Sequence, residues 1–238
     1  MNINVCYFTF CRFCIIMITK QADKVFMMKV LLVNGSPNKN GCTYTALSEI
    51  QKTLKEEGVE SEIYWIGKKP IGGCIACFQC ASKGKCVFDD KVNEFAVLAQ
   101  GYDGFIFGSP VYYSGMNGSL MSFMDRVFFS ASRQEPHPFR FKPAAAVVSA
   151  RRAGTTSTLD QINKYFLHQQ MPIVTSRYWN MVHGNTPEEV IQDEEGMQIM
   201  RVLARNIAWM LRLIEAGEKA GVPLPKQEEQ RIATNFIR

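Results

Sequence analysis

From Lys29 onward, short apolar runs alternate with stretches of helical periodicity. Lys29–Asn34 is an apolar run closed by Gly35 and predicts a buried strand. Thr43–Glu57 places Leu47, Ile50 and Leu54 on one face, with Gly58 as the stop, and predicts a helix. Val59–Ile66, β-branched and aromatic, predicts a second strand. Asp89–Gln100 predicts a helix capped by Asp89 or Asp90, with Val92, Phe95 and Leu98 inward. A strand over Gly104–Ser109, a helix over Gly118–Phe129 and a strand over Ala144–Ser149 follow. A helix over Thr156–Gln169 and a shorter fifth strand over Pro172–Arg177 complete the alternation. The last helix, Glu194 to about Ala216, carries a stripe that includes Met197, Met200, Leu203, Ile207 and Leu211, which reads as core or subunit interface rather than a ligand site.

Five alternations of strand and helix imply a parallel sheet covered on both faces. The predicted fold is α/β and flavodoxin-like, a five-stranded parallel sheet of order 2-1-3-4-5 with helices on both faces. In such sheets a ligand lies beyond the carboxyl ends of the strands, where the strand order reverses. The loops after strands one, three and four are therefore the places to look for chemistry.

The chain of 238 residues suits one such domain, expected over residues 28–221 with a tail at 222–238. Residues 1–27 look foreign to it. Val5–Ile18 is apolar but broken by Arg12, is too short to span a bilayer, and lacks the basic start and small-residue cleavage site of a signal peptide. With Met27 and Met28 directly before the first strand, this segment reads as a non-native leader from an upstream start. It carries a net +2 of the total +5, so the domain itself is only mildly basic. No run of five or six basic residues occurs, which argues against nucleic acid; no membrane association is expected, and the location expected is cytoplasmic.

After the first predicted strand comes Gly35-Ser36-Pro37-Asn38-Lys39-Asn40-Gly41-Cys42-Thr43-Tyr44-Thr45. Small residues and hydroxyls lead into a helix whose first N–H groups have no intrahelical acceptor, an arrangement suited to a phosphate monoester. Ser36, Asn38, Thr43 and Thr45 can add hydrogen bonds. Plain turn chemistry is the competing reading. Neither the P-loop pattern nor the dinucleotide fingerprint fits these residues. After the third strand, Gly108-Ser109-Pro110-Val111-Tyr112-Tyr113-Ser114-Gly115 can set an aromatic wall beside a flat ring, or its tyrosines can be packing residues.

Together the strand-GSP at the first loop and GSPVYY…G…L…F.DR at the second resemble the NADPH-dependent FMN reductase and iron–sulfur flavoprotein families. These are relatives of the tryptophan-repressor-binding-protein-like quinone reductases. The resemblance spans roughly residues 28–215. It implies that FMN phosphate is held by Ser36, Asn38, Cys42, Thr43 and Tyr44, and the isoalloxazine by Pro110, Val111, Tyr112 and Tyr113. It also implies that the loop from Ser149 through Arg151 to Gly154 closes over the ring or ribityl chain. Arg151 could stabilise negative charge on reduced flavin, or belong to a solvated basic turn. No further catalytic residue is implied, because the flavin itself accepts hydride.

Four cysteines, Cys74, Cys77, Cys80 and Cys86, crowd the loop after the second strand. Two C-x2-C steps in series suit a [4Fe–4S] cluster, and they resemble the compact cysteine motif of the iron–sulfur flavoproteins. Zinc and a metal-free loop remain open alternatives. Residues 131–142 form a long basic loop that could be a lid or a subunit arm.

Two functions follow. One is an oxidoreductase passing electrons from NAD(P)H through FMN to a quinone, azo, nitro or similar small-molecule acceptor. The other is an iron–sulfur flavoprotein carrier accepting electrons from ferredoxin. Mild basicity favours the first, since small carrier flavodoxins are typically acidic. A homo-oligomer, dimer or tetramer, is expected, because a flavin at a surface crevice needs a second wall.

Overall fold

The computed structural model describes residues 28–230 and 232–234; the expected leader at 1–27 lies outside them. The elements in chain order are β1 (Lys29–Asn34), α1 (Cys42–Glu56), β2 (Glu60–Trp65), α2 (Cys80–Lys83), α3 (Lys91–Leu98), β3 (Gly104–Tyr112), β4 (Gly115–Met116), α4 (Gly118–Ala131), β5 (Ala144–Ala150), α5 (Thr155–His168), β6 (Met181–His183), α6 (Pro187–Gln192) and α7 (Glu194–Lys219). The parallel sheet runs β2-β1-β3-β5-β6, with β4 folded back on β3 as a short antiparallel ribbon. Setting that ribbon aside, this is the predicted 2-1-3-4-5 order.

The period of two along each strand divides the core between the two faces of the sheet. Leu31 and Val33 of β1, Phe105 and Phe107 of β3 and Val148 of β5 face α3, α4 and α5. Val30 and Leu32, Ile106 and Val147 face α1 and α7. The first face is aromatic: Phe95, Phe107, Phe123, Phe128, Phe139 and Phe166 contact one another mostly edge-on or tilted, the favourable quadrupole arrangement. The second is aliphatic, and Met197 and Met200 are buried in it against α1, so this part of the Met stripe is core. Arg201 to Glu49 and Arg212 to Glu57 tie α7 to α1 at its margins.

The fifth strand departs from expectation. Pro172–Arg177 does not form it. Only Ile173 bridges Ala144; the Val174 N–H donates to the Ala144 carbonyl at 2.8 Å, and then the chain leaves the sheet. It returns as β6, which pairs Val148–Ala150. Local side chains offer the backbone a competing set of bonds here. The Ser176 hydroxyl donates to the Tyr178 carbonyl at 2.6 Å, and the Asn206 amide takes the Thr175 carbonyl at 2.7 Å. The 131–142 loop is not a lid. It precedes β5, at the end of the sheet away from the strand carboxyl termini, and Phe139 anchors it in the aromatic core. β3 also runs on through Pro110, which pairs Ser149 of β5, to Val111 and Tyr112, which β4 gives a partner.

Candidate functional site

At the β1 carboxyl end, buried Asn34 organises the first loop. Its Oδ1 accepts from the Ser36 N–H at 3.0 Å, and its Nδ2 donates to the Lys39 carbonyl at 3.0 Å. The Ser36 hydroxyl then accepts from the Asn38 N–H at 3.1 Å. These side-chain turns shape the loop, and the Gly35 N–H ties it to β3 through the Gly108 carbonyl at 2.9 Å. Gly35 is required by space: a Cβ there would stand 2.7 Å from a Leu120 methyl and 2.8 Å from the Gly108 carbonyl oxygen. α1 begins after Gly41, which supplies no side-chain cap. Among the described residues, the N–H groups of Cys42, Thr43 and Tyr44 have no protein acceptor. An uncapped helix start beneath a Ser/Asn turn fits an anionic phosphate group.

Ser36 and Thr43 are buried, Cys42 and Tyr44 half-buried, and Asn38 exposed. Thr43 has a second role: its hydroxyl bonds the Ser149 hydroxyl at 2.8 Å, tying the first loop to the end of β5. The Cys42 thiol points to the Gly184 carbonyl at 3.6 Å, and burial pushes its pKa up, which keeps it a neutral thiol. Trp65, the last residue of β2, donates its indole N–H to the Ser36 carbonyl at 2.8 Å, and the Lys39 ammonium lies over its ring at 5.8 Å. Asn34, Lys39 and Trp65 were not among the predicted site residues. The Asn before Gly35 was readable as an Asx turn; the Trp65 contact, made across 29 residues, had no local signal.

The second loop is a hairpin. Val111 pairs Met116 and Tyr112 pairs Gly115, with Tyr113 and Ser114 at the turn in left-handed conformation, φ 48° and 59°. Such turns ordinarily take Asn-Gly, and each non-glycine residue there costs about 1–2 kcal/mol. The strain is offset by anchors. Gln161 Oε1 accepts from the Met116 N–H at 3.0 Å, and the Ser157 hydroxyl donates to the Ser114 carbonyl at 2.6 Å. Tyr113 is fully exposed and Tyr112 about half exposed, so neither is a packing residue; Pro110 and Val111 are half-buried. Gly154, at φ 92°, lies against this hairpin, where a Cβ would meet Ser114 Cα and a Val111 methyl at 2.8 Å. Ser149 is buried and Arg151 exposed beside it. The three predicted loops thus meet at the carboxyl ends of the strands through Thr43–Ser149 and Gly154–Val111, and bring bare N–H groups and exposed tyrosines to one end of the sheet. The set of residues fits FMN.

The four cysteines sit elsewhere, between the β2–α3 loop and α4, and all line a single small pocket with Arg126 and Phe129. Ala76 and Phe78, between successive cysteines, adopt left-handed φ of 52° and 56°, folding the C-x2-C steps into a tight coil. Cys74 and Cys77 are exposed, Cys80 buried and Cys86 half-buried. Burial pushes the Cys80 thiol up. No group of three or more His, Cys, Asp or Glu side chains among the described residues converges on a single ion. Four thiols that line a pocket without converging do not form a tetrahedral zinc site, whose sulfurs would all lie at about 2.3 Å from one centre.

The sequence-derived pattern names Arg126 only as part of F.DR, but the structure gives it a larger part. It is 2 % exposed, and its Nη1 and Nη2 donate to the two carboxylate oxygens of Asp90 at 2.6 and 2.8 Å. Its Nε donates to the Cys86 sulfur at 3.2 Å and Nη1 to the Gly72 carbonyl at 3.2 Å. Burial opposes its charge, but the bonds to Asp90 and Cys86 outweigh that and raise its pKa. Asn93 holds the Cys86 backbone on both sides, N–H and carbonyl, at 3.0 Å each. From Gly118 at the hairpin to Arg126 is eight residues of α4, about 12 Å of rise, so pocket and crevice are separate.

Comparison with known proteins gives the family. A family model described as NADPH-dependent FMN reductase matches residues 28–186. An iron–sulfur flavoprotein of Methanocaldococcus jannaschii is 32 % identical over 197 residues, covering 79 % of this chain and all of that protein. A Bacillus subtilis protein named as an NAD(P)H-dependent FMN-containing oxidoreductase is 23 % identical over 188 residues, 76 % of this chain and 99 % of that one. The structure of an archaeal flavodoxin superposes with a TM-score of 0.52 at 16 % identity, over 78 % of this chain and 99 % of that one, which shows the shared fold. No helix among the described residues is long and apolar enough to cross a membrane.

Proposed function

The chain belongs to the NADPH-dependent FMN reductase family of flavin-dependent oxidoreductases, with iron–sulfur flavoprotein homologues, and from that premise we propose that it is an iron–sulfur flavoprotein, an electron-transfer protein holding FMN in the crevice and a [4Fe–4S] cluster in the cysteine pocket. The observation that carries this reading is that Cys74, Cys77, Cys80 and Cys86 all line one pocket, which a metal-free family member would not require. Bound there, the two groups supply one-electron transfer and, at the flavin, two-electron hydride acceptance.

This chain's own residues do the rest. The N–H groups of Cys42, Thr43 and Tyr44, with Ser36 and Asn38, would hold the FMN phosphate at the positive end of α1. The Pro110–Tyr113 backbone and the two tyrosines would hold the ring, and Ser149 and Gly154 bring the third loop against Thr43 and the hairpin beside them. Arg151, exposed at the rim, offers a positive charge to a reduced, anionic ring or to an incoming partner. Cys74 and Cys77 stand at the pocket mouth, where a reduced ferredoxin could approach. A homo-oligomer would wall the open side of the crevice.

A second reading keeps the chain as an NAD(P)H-dependent oxidoreductase acting on a quinone, azo or nitro acceptor. The exposed Tyr112 and Tyr113 favour it, because they leave the ring side of the crevice open to a nicotinamide. Anaerobic purification followed by iron, sulfide and flavin analysis, then rapid mixing with NADH, NADPH and reduced ferredoxin, separates the two. The first reading expects iron and sulfide at cluster stoichiometry beside one FMN, with fast flavin reduction by ferredoxin. A protein that binds FMN but stays free of iron when iron and sulfide are supplied, and is bleached by NAD(P)H, would establish the second.

A further inference from the structure

The four cysteines are not held alike. Cys74 and Cys77 are exposed on a coil that has few outside anchors, and Cys80 opens a helix of one turn. Cys86 is fixed at both ends. Asn93 clamps its backbone, and the Nε of Arg126 donates to its sulfur at 3.2 Å.

Arg126 is the largest fully buried side chain among the described residues. A guanidinium taken out of water needs compensation for every unit of charge. Asp90 gives it a two-pronged carboxylate partner on the Nη side. The Nε side is left for sulfur. Phe88 covers the guanidinium plane at 4.8 Å and keeps solvent off that face. A salt bridge meant only to staple α3 to α4 would need the Nη fork alone; the third direction of the guanidinium is spent on a cysteine.

We propose that Arg126 is the positioning residue of the cluster ligand Cys86, and that the Asp90–Arg126–Cys86 chain sets the reduction potential of the cluster. This rests on the reading that the four cysteines hold a [4Fe–4S] cluster. One-electron reduction adds one negative charge to the cluster and its thiolates; no bond is made or broken and no proton is taken up. A buried N–H donor on a ligand sulfur, carrying positive charge, stabilises the reduced form more than the oxidised one and raises the potential. Asp90 partly cancels that field. The two residues therefore act with opposite sign on the same observable.

That opposition supplies the test. The protein is loaded anaerobically and analysed for iron, sulfide and FMN, and the cluster is titrated with dithionite, the electron donor, under redox mediators while its reduced signal is followed by electron paramagnetic resonance. The variants are Asp90→Asn, Arg126→Gln and Arg126→Lys. Asp90→Asn keeps an oxygen to cap α3, where Asp90 now accepts from the Val92 N–H. It is expected to shift the potential positive. Arg126→Gln is expected to shift it negative, with FMN content unchanged. If Arg126→Gln does not fold, Arg126→Lys, which keeps the charge and loses the Nε donor, is expected to shift it negative by less.

A merely structural ion pair predicts shifts of the same sign, or none, in Asp90→Asn and the Arg126 variants. Either result, in proteins with wild-type iron content, overturns the inference and leaves the four-cysteine reading standing. Wild-type protein that takes up no iron and sulfide fails the four-cysteine reading itself, and this inference falls with it.

Discussion

The loop after β1 is shaped largely from within, by Asn34 and Ser36 bonding their own neighbours, and is fixed to the sheet by the Trp65 indole on the Ser36 carbonyl and by Gly35 wedged against Leu120 and the Gly108 carbonyl. The loop after β2 is held from outside, by Arg126 reaching in from α4, Asn93 from α3 and Gln134 from the segment after α4, whose amide donates to the Gly84 carbonyl at 2.7 Å. The first has its donors aimed and bare before any ligand arrives. The second presents two of its four thiols to solvent on a coil with left-handed turns at Ala76 and Phe78. A preformed site spends little on ordering when it binds, whereas a loosely held one gains much of its order from the bound group. Loss of flavin should therefore leave the first loop in place, while loss of a cluster should loosen the second.

The sharpest way to break this comparison is to fill the space the first loop lacks. Gly35→Val puts carbon where a Leu120 methyl and a backbone oxygen already stand within 2.8 Å. The oxygen belongs to β3 and cannot move aside. Overpacking of this kind costs about 1–3 kcal/mol, and it displaces the turn that aims Ser36. The expected result is loss of FMN binding by flavin fluorescence together with a lowered denaturation midpoint. A variant that binds FMN like wild type would mean the loop is not preformed.

The next effect is smaller for the fold and complete for the metal. Cys80→Ala should abolish bound iron and leave FMN at one per subunit, because crevice and pocket share no side chain. Measured against cluster-free wild type, its destabilisation should stay near 1 kcal/mol, the scale of a small buried deletion. Loss of flavin together with iron would show that the two loops are coupled.

The same contrast explains what could be read before the fold was known. The first loop announced itself, since Gly-Ser-Pro-Asn leading into a helix is local chemistry, and so is the C-x2-C-x2-C run. α6 was equally local: Thr186 caps it by accepting from the Glu189 N–H, Pro187 opens it and Glu189 accepts from the Asn185 N–H at 2.6 Å, one residue before the cap, a start the hydrophobic periodicity did not draw attention to. The partnerships were not legible. Arg126 and Asp90 lie 36 residues apart, and Asp90 read only as a cap, which it also is. Thr43 read as a phosphate donor, and nothing near it pointed to Ser149, 106 residues away. The fifth strand failed for another reason: its β-branched residues favour extension, but Asn206 claims the Thr175 carbonyl a ladder would need, and Ser176 turns the chain just beyond by bonding Tyr178.

A further prediction tests the seam between the second and third loops. Gly154 holds φ 92°, and a Cβ there would press on Ser114 and Val111. Gly154→Ala should cost about 1–2 kcal/mol for the left-handed backbone and weaken FMN several-fold by pushing the hairpin outward. Iron content should not change. Calorimetry and a fluorescence titration on the same preparation check both parts; an unchanged flavin affinity would mean the third loop does not support the ring side.

The smallest expected effect concerns Thr43 and Ser149. Their hydroxyls are buried and share one bond at 2.8 Å, in which either can be the donor. If Ser149 donates to Thr43, the Thr43 proton is free to point at a ligand; if Thr43 donates, that proton is used and only its N–H serves the phosphate. A double-mutant cycle of Thr43→Val and Ser149→Ala resolves the pair. The coupling in the flavin-free protein should be about 1 kcal/mol, the net worth of one buried neutral hydrogen bond. The cycle is then repeated with FMN bound. A coupling that falls on binding means the ligand competes for the same proton, and the first loop does rearrange when it is filled. A coupling that stays the same means that Thr43 is a strut between α1 and β5 whose hydroxyl is committed before FMN arrives, as a preformed loop requires.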